Sequence, residues 1–376
     1  MVRVSAEVLN SSRPPYTPGQ SREAVAARFG LAIEDVAKLG SAENPFGPSP
    51  KAAAAVDAAR SRIDNYPDWS SRALREAIGA KYGFDPDCVV CGSGETEVIS
   101  LVLRAYSRPG DRILMFAPCF PVYHIFTEQE GRVPLFVPLA SATDFDFDRY
   151  LEALRAERPA IAFVTNPHSP TGRLPSEADI RRVAEAAAGT DTLVVLDEAY
   201  IHFTETPGHM ALTRDYPHLI VLRTFSKAFG LAGLRLGFGV AANAGLVTPL
   251  RNIKPTWNLG WMQTAGGIAA LDDDAHVART VAMVVEMRAY TAQALAGLNR
   301  FRMVDGSRSN FFLVEILDPE LTSTTVFERL LEKGVIVKDC SIDFVGLGDR
   351  FLRVDVGVKK DMDRFIGALR GLDRNW

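Results

Sequence analysis

The residue types able to do chemistry in this chain converge on one lysine. Lys227 lies in the run 222–240, Leu-Arg-Thr-Phe-Ser-Lys-Ala-Phe-Gly-Leu-Ala-Gly-Leu-Arg-Leu-Gly-Phe-Gly-Val, a small and glycine-rich surrounding. Ser226 stands directly before it, Thr224 three positions before and Arg235 eight positions after. A lone lysine in such a run serves equally well as a surface residue of a loop. The hydroxyls and the arginine change that balance, because together they can grip a phosphate while the amine waits beside it to condense with a carbonyl.

Three further places carry chemistry at the ends of apolar runs. In open α/β sheets ligands bind at the carboxyl ends of the strands, so the residues after each run matter most. After Val89-Val90 comes Gly92-Ser-Gly-Glu-Thr-Glu-Val. A glycine-rich turn that opens a helix offers free N–H groups and a positive dipole end to a phosphate, although the motif alone is also a plain strand-to-helix turn. After 160–164 comes Thr165-Asn-Pro-His-Ser-Pro-Thr-Gly172, where Asn166 can hold a ligand oxygen or merely cap a turn and two X-Pro bonds invite cis geometry. After 193–196 comes Asp197-Glu-Ala-Tyr200. A buried strand-end aspartate is costly unless paired, and a cationic ring nitrogen or a structural arginine would pair it. A phosphate turn, an asparagine, an aspartate with a tyrosine three later, and a Ser-Lys with a following arginine fit pyridoxal phosphate as the cofactor.

The elements that must position these groups follow from hydrophobic patterning. Short apolar runs at 89–90, 112–116, 133–137, 160–164, 193–196, 219–222 and 237–240 alternate with amphipathic stretches at 96–107, 121–130, 148–155 and 176–188. Strands without internal alternation predict a mainly parallel sheet of about seven strands with helices on both faces, an α/β fold. Ahead of it, 21–29, 51–60 and 71–82 read as helices, and 38–50, with three prolines and two glycines, reads as a shaped loop around Asn44 and Phe46. Residues 261–298 read as one long helical run. Beyond it come strands at 310–315, 334–337 and 351–356, a helix at 324–333 and a last helix to 372, an α+β second domain. The expected division is an N-terminal arm over 1–44 packing with the small domain, a large domain over 45–260 and a small domain over 261–376.

Composition excludes several classes. The net charge of −4 gives no reason to expect nucleic-acid binding. No window approaches a membrane span, and the first ten residues lack the apolar core of a signal peptide, so a cytoplasmic location is expected. Four cysteines make no disulfide framework in a chain this long. Cys88 and Cys91 have C-x-x-C spacing, but positions three apart on a strand face opposite ways, and no histidine cluster completes a set, so no metal is expected.

Across nearly its whole length the chain resembles the class I/II aminotransferases of pyridoxal-phosphate fold type I, and within them the histidinol-phosphate aminotransferase family. The resemblance is carried by Pro15-Tyr-Thr-Pro-Gly19, Glu43-Asn-Pro-Phe-Gly-Pro-Ser-Pro50, Tyr66-Pro-Asp68, Asn166-Pro-His-Ser-Pro-Thr-Gly172, Asp197-Glu-Ala-Tyr200, Ser226-Lys-Ala-Phe-Gly-Leu-Ala-Gly-Leu-Arg235 and Leu352-Arg-Val-Asp-Val-Gly357. It implies that Lys227 bonds the cofactor and then moves the substrate proton, that Asp197 binds the ring N–H, and that Asn166 and Tyr200 hold the ring oxygen. It implies Phe120 stacked on the ring, and the phosphate held by the Gly94-Glu95-Thr96 backbone, Thr224, Ser226 and Arg235. Tyr66 would reach the phosphate from a second subunit of a homodimer. Tyr16, Asn44, Lys338 and Arg353 would meet the substrate, with Arg353 a bidentate clamp. The reaction implied is amino transfer from L-histidinol phosphate to 2-oxoglutarate.

Two positions depart from the family. Thr96 stands where relatives usually carry an acid, and Lys338 where they usually carry an arginine that helps hold the substrate phosphate. Lysine keeps the charge and loses the planar fork, which leaves room for a paralogue acting on aromatic or other amino acids. Trp257 and Trp261 lie near the domain junction, where they either narrow the pocket or fill the core. A decarboxylase of the same fold and a regulatory ligand sensor are further alternatives, the sensor disfavoured by a segment before Ser41 too short to hold a DNA-binding module.

Overall fold

The computed structural model describes residues 19–141 and 144–374. Thirteen strands occur among them: β1 Ala37–Lys38, β2 Val89–Ser93, β3 Arg112–Ala117, β4 Val133–Pro138, β5 Ile161–Thr165, β6 Leu193–Asp197, β7 Leu219–Thr224, β8 Leu236–Val240, β9 Phe301–Met303, β10 Phe311–Ile316, β11 Val335–Ile336, β12 Lys338–Asp339 and β13 Phe351–Asp355. Seven form one sheet in the order β2-β8-β7-β6-β5-β3-β4. All neighbours run parallel except β8, which lies antiparallel to both β2 and β7.

The unbroken apolar strands are explained by burial on both faces. In β3, Leu114 and Phe116 point into one core and Ile113 and Met115 into the other. Helices Arg72–Tyr82, Phe147–Glu157 and Glu177–Ala188 cover the first face through Leu74, Tyr150 and Val183. Helices Glu95–Tyr106, Pro121–Gln129 and Ala244–Ile253 cover the second through Val98, Tyr123 and Val247. The helix Ala244–Ile253 was not expected, because Pro249 interrupts its pattern; Asn243 opens it by accepting from the N–H of Gly245.

The second core is built on the antiparallel sheet β12-β13-β10-β9 and the helices Asp274–Leu295, Ser323–Glu332 and Lys359–Arg374. The single strand expected at 334–337 is two: β11 pairs with β1 in parallel, and β12 pairs with β13. Likewise the long helix expected from 261 is broken. Trp261–Leu271 packs on Pro50–Ala59 and the large-sheet side, with Gly266 against Leu234 and Val56. Asp273 then starts a new helix by accepting from the N–H of His276, while its other oxygen takes the Ser49 hydroxyl at 2.5 Å. Helix Arg22–Phe29, through Val25 and Ala26, packs with Leu331 and Ile336. Among the described residues no helix is long and apolar enough to cross a membrane.

Candidate active site

The carboxyl ends of β5, β6 and β7 open into a cavity of about 470 Å³, the size of a small-ligand site. Glu95, Thr96, Phe120, Asp197, Tyr200, Thr224, Ser226, Lys227 and Arg235 all line it, as do Ser41 and Glu43 from the N-terminal region. Nine of the expected residues, taken from four separate stretches of sequence, therefore share one space.

At one end sits an anion cradle. No side chain caps helix Glu95–Tyr106 at Gly94, so its first N–H groups remain available there. Gly94 has φ +78°, and a Cβ on it would stand 2.3 Å from an Arg235 nitrogen. Only glycine lets the guanidinium close over this turn. Arg235 also reaches the Thr96 hydroxyl at 3.4 Å, and the Thr224 and Ser226 hydroxyls lie 3.0 Å apart. A guanidinium, three hydroxyls and a helix N-terminus fit a phosphate. The hydroxyl of Thr96 thus serves where an acid was expected, without adding negative charge.

Lys227 lies beyond the cradle. Its Nζ donates to the Ser41 carbonyl at 3.1 Å and lies 5.5 Å from the Tyr200 ring centroid. Burial, and then the charge of Arg353, bring its amine down from the ordinary lysine value to about 8. An amine that loses its proton this easily, beside an anion cradle, fits an aldehyde that carries a phosphate.

Asp197 closes the far end, 3% exposed at the tip of β6. Burial pushes its carboxyl up, and hydrogen bonds from the Tyr123 hydroxyl and the Ala199 N–H pull it back. Tyr123 is a functional residue that sequence reasoning missed. Its signal was its spacing, one helical turn after Phe120, which puts both rings on the same side; they meet edge to face at 5.6 Å. Phe120 lines the cavity, as a ring-stacking residue must.

Other expected residues stand outside the cavity wall. Asn166 is fully buried but lies outside the cavity wall. Its Nδ2 lies 2.9 Å from His209 Nδ1, and its Oδ1 is buried without a hydrogen-bond partner. Behind it Glu198 accepts from Arg223 at 2.7 Å and from the His209 N–H at 2.7 Å, with the Asn166 amide 3.5 Å away. Asn44 is not a wall residue either. It donates to the Ala228 carbonyl at 2.9 Å and to Thr280 at 3.1 Å, and accepts from Phe46 N–H, so it ties down the loop that carries Lys227. Arg353 and Lys338 are buried opposite each other in register on β13 and β12, behind the wall. Arg353 donates to the Gly40 carbonyl at 3.1 Å and lies 4.9 Å from the Phe311 centroid. Tyr66, 76% exposed, stacks on Trp257 at 4.3 Å and stays out of this cavity. Trp257 is itself exposed, and Trp261 lies under Arg62. Tyr16 falls outside the described residues.

The four cysteines are buried, and burial pushes the Cys91 thiol up to about 12. No group of three or more acidic, histidine or cysteine side chains able to hold a metal occurs among the described residues.

Residues 34–369 match the family model for aminotransferase class I and II. The chain belongs to that family. Its α/β architecture is that of fold type I, and pyridoxal phosphate is the cofactor with which the family works. Two curated relatives, each a histidinol-phosphate aminotransferase, are 39% identical. The one from Anaeromyxobacter sp. (strain Fw109-5) aligns over 96% of both chains, and the one from Symbiobacterium thermophilum over 95% of both. The crystal structure of histidinol-phosphate aminotransferase from Sinorhizobium meliloti, with pyridoxal-5'-phosphate, superposes with a TM-score of 0.88 over 100% of this chain and 98% of that one, at 24% identity. At that identity the likeness speaks for the fold.

Proposed function

We propose that this chain transfers the amino group of L-histidinol phosphate to 2-oxoglutarate, giving imidazole acetol phosphate and L-glutamate. The observation that carries the reaction type is a buried lysine amine near pH 8 between an anion cradle and a strand-end aspartate. Support for the donor comes from the curated relatives and from the basic pair Lys338 and Arg353.

When bound, pyridoxal phosphate supplies an aldehyde for the amino group and a ring that accepts the electrons left on the substrate α-carbon. The turn Gly94-Glu95-Thr96, Thr224, Ser226 and Arg235 would hold its phosphate, and Phe120 would pack against its ring. Asp197 would accept from the ring N–H and keep that proton in place. The Tyr200 hydroxyl serves the ring oxygen, and Asn166 supports it from behind the wall. Lys227 Nζ, neutral above about pH 8 and aimed by Ser41, takes the proton from the substrate α-carbon. Arg353 and Lys338 supply the positive charge toward the substrate's acidic end, while Asn44 acts through the Lys227 loop.

The exposed Tyr66 is read as completing the phosphate site of a second copy in a homodimer, with Tyr16 of the arm reaching substrate. The enzyme would work in the cytoplasm, with residues 19–44 belonging to the small domain as a unit. A second reading, an aromatic amino-acid aminotransferase, is favoured by one observation: Arg353 is flanked by the rings of Phe311 and Phe344, with a lysine opposite it.

A panel of amino donors with 2-oxoglutarate tests the proposal. Turnover of histidinol phosphate well above that of phenylalanine is expected. Turnover of phenylalanine with none of histidinol phosphate would refute the donor and leave the reaction type standing.

A further inference from the structure

The roles above give no work to the side chain of Glu95, whose backbone alone belongs to the phosphate turn. Its carboxyl turns inward. The residue is 7% exposed and lines the cavity, and its Oε1 is buried without a hydrogen-bond partner. Backbone packing fixes where this side chain starts, since a Cβ on Gly237 of β8 would stand 2.3 Å from Glu95 N. From there the carboxyl meets that of Asp197 within hydrogen-bonding reach.

Two buried carboxyls side by side cannot both carry charge, so one of them keeps a proton. The surroundings decide which. Asp197 receives the Tyr123 hydroxyl and the Ala199 N–H at 2.9 Å, donors that stabilise its anion. Glu95 has no such donor. Burial first, and the Asp197 charge second, hold its carboxyl well above the usual range, against the pull of the Lys227 ammonium. Behind the pair Glu198 adds negative charge that Arg223 and His209 absorb, and on the cradle side Arg235 is drawn to Thr96. Asp197 therefore keeps the charge and Glu95 the proton.

We propose that Glu95 is a protonated positioning residue whose O–H donates to Asp197, so that the two carboxyls present one negative charge to the ring nitrogen of the cofactor. This rests on the reading of the chain as a pyridoxal-phosphate enzyme. A proton held by a raised carboxyl stays below its native pKa and leaves to solvent above it. Its loss makes the pair a dianion and sets a second carboxylate at the turn that receives the phosphate. Cofactor affinity then falls as pH rises.

Equilibrium dialysis of the full-length chain against graded pyridoxal phosphate, from neutral to alkaline pH, tests this. Glu95→Gln keeps a neutral donor and should hold the cofactor as tightly as the native chain, without the alkaline loss. Glu95→Ala removes the donor and should bind about tenfold more weakly or worse, the scale of one hydrogen bond to a charged group. Infrared difference spectra of native against Glu95→Gln protein should show one protonated carboxyl band lost, a readout that needs no turnover. Glu95→Gln binding as poorly as Glu95→Ala, an alkaline loss retained in Glu95→Gln, or no carboxyl band would each overturn the pair while leaving the enzyme reading intact. A native chain that takes up no pyridoxal phosphate would overturn both.

Discussion

The floor of the cavity and its far wall are built on different principles. The floor stands on β5, β6 and β7, three adjacent parallel strands whose last residues, Thr165, Asp197 and Thr224, all line the cavity. Each reactive group there sits within a few residues of its strand end. The wall on the small-sheet side is backed by β1, β11, β12 and β13, of which three are only two residues long. Arg353 reaches Gly40 and Asn310 reaches Ala42, contacts between residues roughly 300 apart in sequence. Groups that make the reaction possible are thus set by local backbone geometry. Groups proposed to choose the substrate depend on the docking of distant segments, where a small shift moves a whole side chain.

If that contrast is right, damage to the floor stops the chemistry, and damage to the wall changes affinity. Lys227→Ala should lower kcat by on the order of 10⁴-fold or more in a steady-state assay, and near-native turnover would break the comparison outright. Asp197→Ala should cost about 10²- to 10³-fold in kcat, with KM nearly unchanged. Arg353→Gln should raise KM by about 10²-fold with a smaller change in kcat, the loss expected for one half of a buried charge pair. The same variant has a second readout. Removing the cation beside Lys227 should move its amine up from about 8, so the rate of pyridoxal-phosphate uptake should level off at a higher pH than in the native chain. Asn44→Ala should lower stability by about 1–3 kcal/mol in denaturant unfolding, because it orphans the Ala228 carbonyl and Thr280. Lys338→Arg should have the smallest effect, a change in the ratio of donors within a panel; a large loss of kcat would place Lys338 on the floor side instead.

The same contrast explains what was legible in the sequence. Seven apolar runs gave seven strands, because strands buried on both faces need no alternation and stand out as continuous runs. Lys227, Asp197 and Arg235 were readable because each sits in a short stretch that carries its own backbone logic. The two-residue strands β1 and β12 carry no periodicity, and the helix Ala244–Ile253 hid behind Pro249. Tyr123 was invisible as a site residue, since a tyrosine on an apolar helix face looks like core until Asp197 is seen to receive its hydroxyl. Asn166 was readable as a ligand candidate from its place at a strand end, and Asn44 from the resemblance. The partners the structure gives them, Ala228 and His209, come from 184 and 43 residues away, and short-range patterning does not encode such pairings.

The parallel pairing of Ala37–Lys38 with Val335–Ile336 has a consequence for the birth of the molecule. During synthesis the large sheet has all its strands once Val240 has left the ribosome, whereas the segment before it must wait for nearly a hundred further residues before its partner strand exists. Vectorial synthesis therefore completes the reaction floor first. The side proposed to select the substrate closes only when segments roughly 300 residues apart find each other, a contact of high loop-closure cost.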